Sequence, residues 1–148
     1  MQNTEVFFIE LAVSNKVKYI CDIVEVFYNA EIPVDIYCTQ KKDAVFLDQL
    51  LWSWKQDSFI PHALADDRDD EPVVLHFSEI PKGANGALIL FDPIESNLFS
   101  KFSYVIDFAE LYDSQRLLAS RKRFKEIRDG GQHKIEFLKL GAFLQKRF

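Results

Sequence analysis

The sequence predicts an α/β fold in which a mostly parallel, doubly wound sheet is flanked by helices. Two observations predict it. Short β-branched and aromatic runs alternate with longer segments of helical apolar spacing, and the first four elements follow the order strand, helix, strand, helix. This alternation is typical of parallel strands joined by right-handed crossovers. The chain has 148 residues, which suits a single domain over residues 1–148.

Six short segments are predicted to form strands, because they are rich in β-branched and aromatic residues and have turn residues at their ends. They are residues 4–11, 34–38, 58–61, 73–77, 87–91 and 104–108. Residues 81–86, rich in proline and glycine, lie between the fourth and fifth. The pattern leaves open whether those two strands form a hairpin or are separate members of the sheet.

Two helices are predicted in the N-terminal half from apolar residues that recur every three or four positions. Ser14 is the predicted N-cap of the first helix, whose apolar stripe begins at Val17, and Pro33 marks its exit. Residues 41–54 form the second helix, with leucines and Trp54 on its inward face. These helices connect the first strands of the sheet.

The last predicted helix is long and has clear end signals. Asp113 or Ser114 begins it, and the pair Gly130 and Gly131 ends it. Residues 133–148 are apolar enough to dock on the fold, but their pattern does not distinguish a helix from a strand. The sequence therefore leaves the type of the final element open.

Composition excludes several classes of protein. Hydrophobic residues make up 48% of the chain and include 14 Phe, so a disordered or collagen-like chain is excluded. No apolar run has the length of a membrane span and no signal-peptide pattern is present, so we expect a cytoplasmic protein. The net charge of −5 argues against a protein that coats nucleic acid, so an anionic partner needs a local basic patch.

No cofactor or metal is predicted. The turn after the first strand, residues 11–15, has no glycine, and neither the dinucleotide-binding nor the Walker glycine pattern occurs. His62, His76 and His133 lack metal-ligand spacing. Cys21 and Cys38 are too few for a disulfide framework and are expected to be reduced, buried thiols.

No catalytic residue is predicted either. Asp57, Ser58 and His62 have the chemistry of a nucleophilic triad, but no nucleophile-elbow motif positions the serine. The acidic run at residues 66–71 lacks the spaced ligands of a calcium loop and is expected to be solvated.

The strongest physical signal is the basic last helix. From Asp113 to Arg128 it carries six cations against two acidic residues, a net charge of plus four, which leaves minus nine for the rest of the chain. Arg121, Lys125 and Arg128 fall on one helical face, and Phe124 lies beside them. This face suits an anionic ligand with an aromatic group. An equally good interpretation is a solvated helix with Phe124 in the core.

Several segments of the sequence resemble the chi subunit family of bacterial DNA polymerase III. The most specific are Leu47 to Trp52 (LDQLLW), followed after a short gap by Ser58 to Ala65 (SFIPHALA). The others are residues 105–108 (VIDF), 113–114 (DS) and 121–125 (RKRFK), with Arg128 and Gly131. The resemblance spans most of the chain, and its weakest parts are residues 66–86 and the C-terminal tail.

The resemblance implies a noncatalytic accessory subunit of the clamp-loader complex, with a Rossmann-like sheet and no bound cofactor. Members of the family pair with a psi subunit and grip the acidic, Phe-ended C-terminal tail of single-stranded DNA-binding protein. A role in a repair-helicase complex through the psi-type surface is an alternative within the family.

Residues matching the family's sites follow by position. The tail-binding set is Arg121, Phe124, Lys125 and Arg128, with Phe124 where the family usually has tyrosine. An extra residue between Asp113 and Arg121 leaves Arg116 without a clear equivalent. The psi-binding residues are Phe59 and Ala109, and Trp52 is expected to join them in one protein-binding surface, because an aromatic at a strand edge is a typical interface anchor.

Without the family resemblance, the sequence is also compatible with two other classes of function. In the first, the basic helix binds nucleic acid directly by neutralising phosphates. In the second, the chain is an enzyme on a nucleotide-like fold, against which the glycine-poor turns argue. Measured affinity for a naked oligonucleotide distinguishes the first class from a protein-binding module. A shift of the melting temperature on adding nucleotide distinguishes the second.

Overall fold

A computed structural model describes residues 4–55, 59–83 and 85–148 of the chain. The first four elements alternate between strand and helix, as the sequence predicts; three strands then follow one another, and a 3-10 turn at Ser96–Lys101 precedes the next strand. The strands are β1 (Glu5–Leu11), β2 (Val34–Cys38), β3 (His62–Leu64), β4 (Val73–Phe77), β5 (Ala87–Leu90), β6 (Tyr104–Glu110) and β7 (Lys134–Lys139). The helices are α1 (Lys16–Asn29), α2 (Lys41–Ser53), α3 (Ser114–Gly130) and α4 (Leu140–Leu144).

The seven strands form one parallel sheet in the order β3-β4-β2-β5-β6-β1-β7. This confirms the predicted α/β fold, which is Rossmann-like. β4 and β5 are not a hairpin, because β2 lies between them and runs parallel to both. β3 and β7 are the two edge strands.

Both faces of the sheet are covered, which is why its central strands are apolar without alternation. Along β1, Phe7 and Ile9 belong to the core beneath α1, α2 and α4. Val6 and Phe8 belong to a second core, with Phe99 of the 3-10 turn and Ile127 of α3. The basic helix α3 therefore lies on the face of the sheet opposite α1 and α2.

Most predicted boundaries agree with the structure to within two residues, and two of the differences have a clear local cause. α1 begins at Lys16 rather than behind Ser14, with Asn15 at the N-cap position and no side-chain capping hydrogen bond from Asn15. The predicted strand at 58–61 lies instead at His62–Leu64. Ser58 is outside the described residues, and Pro61 immediately precedes the first paired residue of β3. Proline has no N–H with which to extend the ladder.

The ends of α3 match the prediction. The Asp113 carboxylate accepts a hydrogen bond from the Arg116 N–H at 3.0 Å, and Gly131 ends the helix with a left-handed φ of 65°. The ambiguous tail forms β7 and the short α4. Phe143 and Phe148 of this tail pack with Phe7 and Phe27 on the α1 face of the sheet.

Both cysteines are buried, free thiols, as expected. Burial raises the pKa of Cys21 and of Cys38 to about 12. These thiols are therefore protonated and unreactive near neutral pH.

None of the helices in the described ranges combines the length and the apolar composition that a membrane span requires.

Candidate functional site

A groove of about 530 Å³ runs between α3 and the sheet strands beneath it. Its walls come from α3, from the middle of β1, from the end of β6 and from the edge strand β7. The lining residues are Phe8, Ala109, Leu111, Leu117, Ser120, Arg121, Phe124, Lys125, Arg128 and Phe137. All four residues predicted for tail binding thus lie in one cavity.

Phe124 packs against the core and also lines the groove. Its ring meets Phe8 edge-on, with centroids 5.3 Å apart and planes at 79°, so one side packs against the core. The residue is only half-buried and also lines the groove. Phe124 therefore contacts the core on one side and contributes aromatic surface to the groove on the other.

The cations on the rim surround an apolar floor. Arg121, Lys125 and Arg128 are exposed, whereas Phe8 and Ala109 are buried below them. Nε of Arg128 lies 3.3 Å from a carboxylate oxygen of the exposed Asp129, a surface contact of small energetic value. The groove combines a positive rim with an apolar interior.

Two other arginines of α3 point elsewhere. Arg123 makes a two-pronged ion pair with Asp107 of β6, at 2.9 Å and 3.1 Å, and Asp107 is almost fully buried. Arg116 lies 3.6 Å from the Glu110 carboxylate, in a separate crevice that also holds Lys16. Arg116 is therefore not part of the groove. Both Arg116 and Arg123 direct their guanidinium groups to buried carboxylates.

Trp52 and Phe59 form an exposed aromatic pair on the other face of the sheet. Their ring centroids are 5.6 Å apart, and half of Trp52 and 71% of Phe59 are exposed. The Trp52 ring also contacts the buried His62 ring, with centroids 4.1 Å apart and planes at 41°. The ring nitrogens of His62 face the carbonyl oxygens of Ile60 and Asp48, at 2.7 Å and 2.9 Å. The aromatic pair therefore packs on a buried histidine whose ring position is fixed by two carbonyl contacts.

Ala109 does not join this aromatic pair, so the expected single surface with Trp52 and Phe59 is wrong. Ala109 lies on β6 and faces α3, in the floor of the groove. Trp52 lies at the end of α2, whose buried residues belong to the core of the opposite face. Ala109 is also distant from the pair along the sheet, because β4, β2 and β5 lie between β6 and β3, the strand of His62 that Trp52 contacts.

The structure describes only part of the candidate catalytic triad. Asp57 and Ser58 of the candidate triad lie outside the described residues, and His62 faces the two carbonyls. No group of three potential metal ligands occurs in the described ranges. In the acidic loop, the Arg68 guanidinium lies 2.9 Å from Asp70 and lowers the pKa of that carboxyl.

The groove also contains residues that the sequence reasoning missed. Leu117 lies one helical turn before Arg121, so extending the helical stripe by four residues would have included it. Phe8, Leu111 and Phe137 come from three other segments. Only the order of the strands brings these three beside α3.

Comparison with known proteins finds relatives over most of the chain. Residues 3–134 match the family described as "DNA polymerase III chi subunit, HolC". The DNA polymerase III subunit chi of Escherichia coli K12 is 30% identical over 115 residues, which is 76% of this chain and 78% of that protein. The protein of the same name from Pseudomonas aeruginosa is 28% identical over 120 residues, 80% of this chain and 82% of its own. The chain therefore belongs to the chi subunit family of DNA polymerase III.

Proposed function

We propose that this protein is a noncatalytic accessory subunit that connects the clamp-loader complex of DNA polymerase III to single-stranded DNA-binding protein in the cytoplasm. The contact is the acidic, Phe-ended C-terminal tail of that protein. The observation that carries the proposal is the groove on α3, where Arg121, Lys125 and Arg128 surround an apolar floor beside Phe124.

The chemistry of the groove suits each part of such a tail. The terminal Phe ring fits against Phe124, where it leaves water and meets another aromatic ring. The terminal carboxylate and the acidic side chains meet Arg121 and Arg128, whose guanidinium groups bind carboxylates with paired hydrogen bonds. Lys125 contributes a point charge between them.

Removing the terminal Phe from a tail peptide tests the proposal. We expect the shortened peptide to bind at least about tenfold more weakly, because loss of one buried aromatic ring costs about 1.5–3 kcal/mol. Isothermal titration calorimetry with the full and shortened peptides measures this. Equal affinity of the two peptides would mean that the groove is only an electrostatic patch.

The aromatic pair of Trp52 and Phe59 is the proposed site for the psi subunit. Two large exposed rings in contact are an unusual surface for a chain without a partner, and aromatic residues dominate the binding energy of many interfaces. A psi contact at Ala109 would require a separate contact on the other face.

Phe59→Ala is expected to weaken psi pairing by at least about tenfold while leaving the melting temperature nearly unchanged, since most of this ring is exposed. Co-purification and thermal melting measure the two effects. Phe137→Ala is the matched control, because Phe137 is a half-exposed phenylalanine of the α3 groove. Unchanged pairing by the folded Phe59 variant would refute this site.

Direct binding of nucleic acid is less well supported. Arg116 and Arg123 are directed to Glu110 and Asp107, which leaves fewer cations of α3 for phosphates. The apolar floor of the groove has no role in a contact made only with phosphates. Salt-sensitive, tight binding of a naked oligonucleotide would favour this alternative.

A further inference from the structure

One edge of the sheet beside the groove is open. β7 is an edge strand that pairs with β1, and the Lys134 N–H donates to the Thr4 carbonyl at 3.2 Å. Backbone groups of successive residues in a strand point to alternate sides. The N–H and C=O groups of Ile135 and Phe137, and the N–H of Lys139, therefore point away from β1.

These outward groups carry unused hydrogen-bonding capacity. In the described part of the chain, no backbone hydrogen bond outside the helices and strands involves Ile135, Phe137 or the N–H of Lys139. The C=O of Lys139 is not counted among these groups, because Lys139 is the N-cap residue of α4. Such an edge is a ready template for an added strand. The family match ends at Lys134, so nearly all of β7 lies beyond it.

The open edge and the groove are continuous through Phe137. Side chains of the outward-pointing residues lie on the α3 face, because Ile135 packs in the core beneath α3 and Phe137 lines the groove. Lys139 falls on the same face by alternation and is exposed. A chain leaving the groove past Phe137 thus reaches backbone groups and a further cation.

We propose that the segment preceding the terminal Phe of the acidic tail binds as an additional strand along β7. This rests on the proposed function and adds to it a backbone contact. Charge complementarity favours this occupant, since Lys139 and the rim cations Arg121 and Lys125 stand on the groove side of the edge. Main-chain hydrogen bonds supply affinity that depends little on the segment's exact sequence.

Peptides of two lengths separate this contact from the groove itself. A peptide of about four residues ending in Phe reaches only the groove, whereas one of about ten residues spans the six residues of β7 as well. We expect the longer peptide to bind at least about tenfold more tightly, as two added hydrogen bonds would allow. The measurement is calorimetry at fixed salt.

N-methylation of single residues in the longer peptide identifies a strand. Methyl groups on alternate residues should weaken binding about fivefold or more each, because only every second N–H of an added strand faces β7. Methyl groups on the intervening residues should have little effect. Equal sensitivity at both sets of positions would overturn the proposal.

Lys139→Pro removes one outward N–H from the protein. The φ of Lys139 is −78°, which proline adopts, so the fold should tolerate the change. Lys139→Ala is the control that removes the charge but keeps the N–H. We expect the proline variant to bind the longer peptide more weakly than the alanine variant does, and both variants to bind the short peptide equally well.

The outcomes distinguish the two proposals. If neither peptide binds, the proposed function fails. If both bind with equal affinity, the groove stands and the strand contact is refuted. If β7 instead pairs with β7 of a second copy, the protein alone will sediment as a dimer that Lys139→Pro dissociates, which also overturns the proposal.

Discussion

Arg121→Ala is expected to weaken binding of the acidic, Phe-ended tail by about tenfold or more. Arg121 is exposed on the rim of the groove, beside Phe124 and Lys125. A charge-assisted hydrogen bond to a carboxylate is worth about 1.5–3 kcal/mol, and each 1.4 kcal/mol changes affinity tenfold. Calorimetry with the tail peptide measures the loss, and Arg128→Ala is expected to act in the same direction.

Lys122→Ala is the matched control for Arg121→Ala. It removes the same charge from the neighbouring position of α3, but Lys122 is outside the groove lining. Its effect on binding should be small, and added salt should weaken the unmodified protein's binding by screening. If Lys122→Ala weakened binding as much as Arg121→Ala, only the net charge of α3 would matter and the specific groove would be refuted.

Arg123→Ala is expected to act on stability, although Arg123 is only two residues from Arg121. Its guanidinium is the partner of Asp107, whose side chain is only 5% exposed, and the change leaves that carboxylate buried without its counter-charge. Breaking such a pair costs about 3–5 kcal/mol. Urea denaturation should show a lower free energy of unfolding by about 3 kcal/mol.

A double-mutant cycle tests the cause of this loss. In Arg123→Ala with Asp107→Ala no charge is left unpaired, so the double variant should be more stable than the sum of the single effects predicts. The folded fraction of Arg123→Ala should still bind the tail peptide. Strict additivity would show that the ion pair is not the source of the stability.

Much of the fold could be predicted from local chemistry. The alternation of apolar strands and amphipathic helices determines an α/β sheet, and Asp113 and Gly131 mark both ends of α3 through their own hydrogen bonding and backbone geometry. Two strands had weak sequence patterns: β3 was predicted a few residues too early, and the type of the element that forms β7 was left open. β3 has only three residues, and Phe137 of the edge strand β7 is half exposed, so neither strand has a strong apolar pattern.

The sequence by itself determined that positive charge is concentrated around Phe124 on one helix, because charge and helical spacing are local properties. Only the tertiary structure decided which cations face the groove. Burial of Ser120 and Ile127 sets the rotation of α3 on the sheet. That rotation turns Arg123 toward Asp107 and leaves Arg121 and Lys125 on the groove rim, because strand order places β6, β1 and β7 side by side beneath the helix.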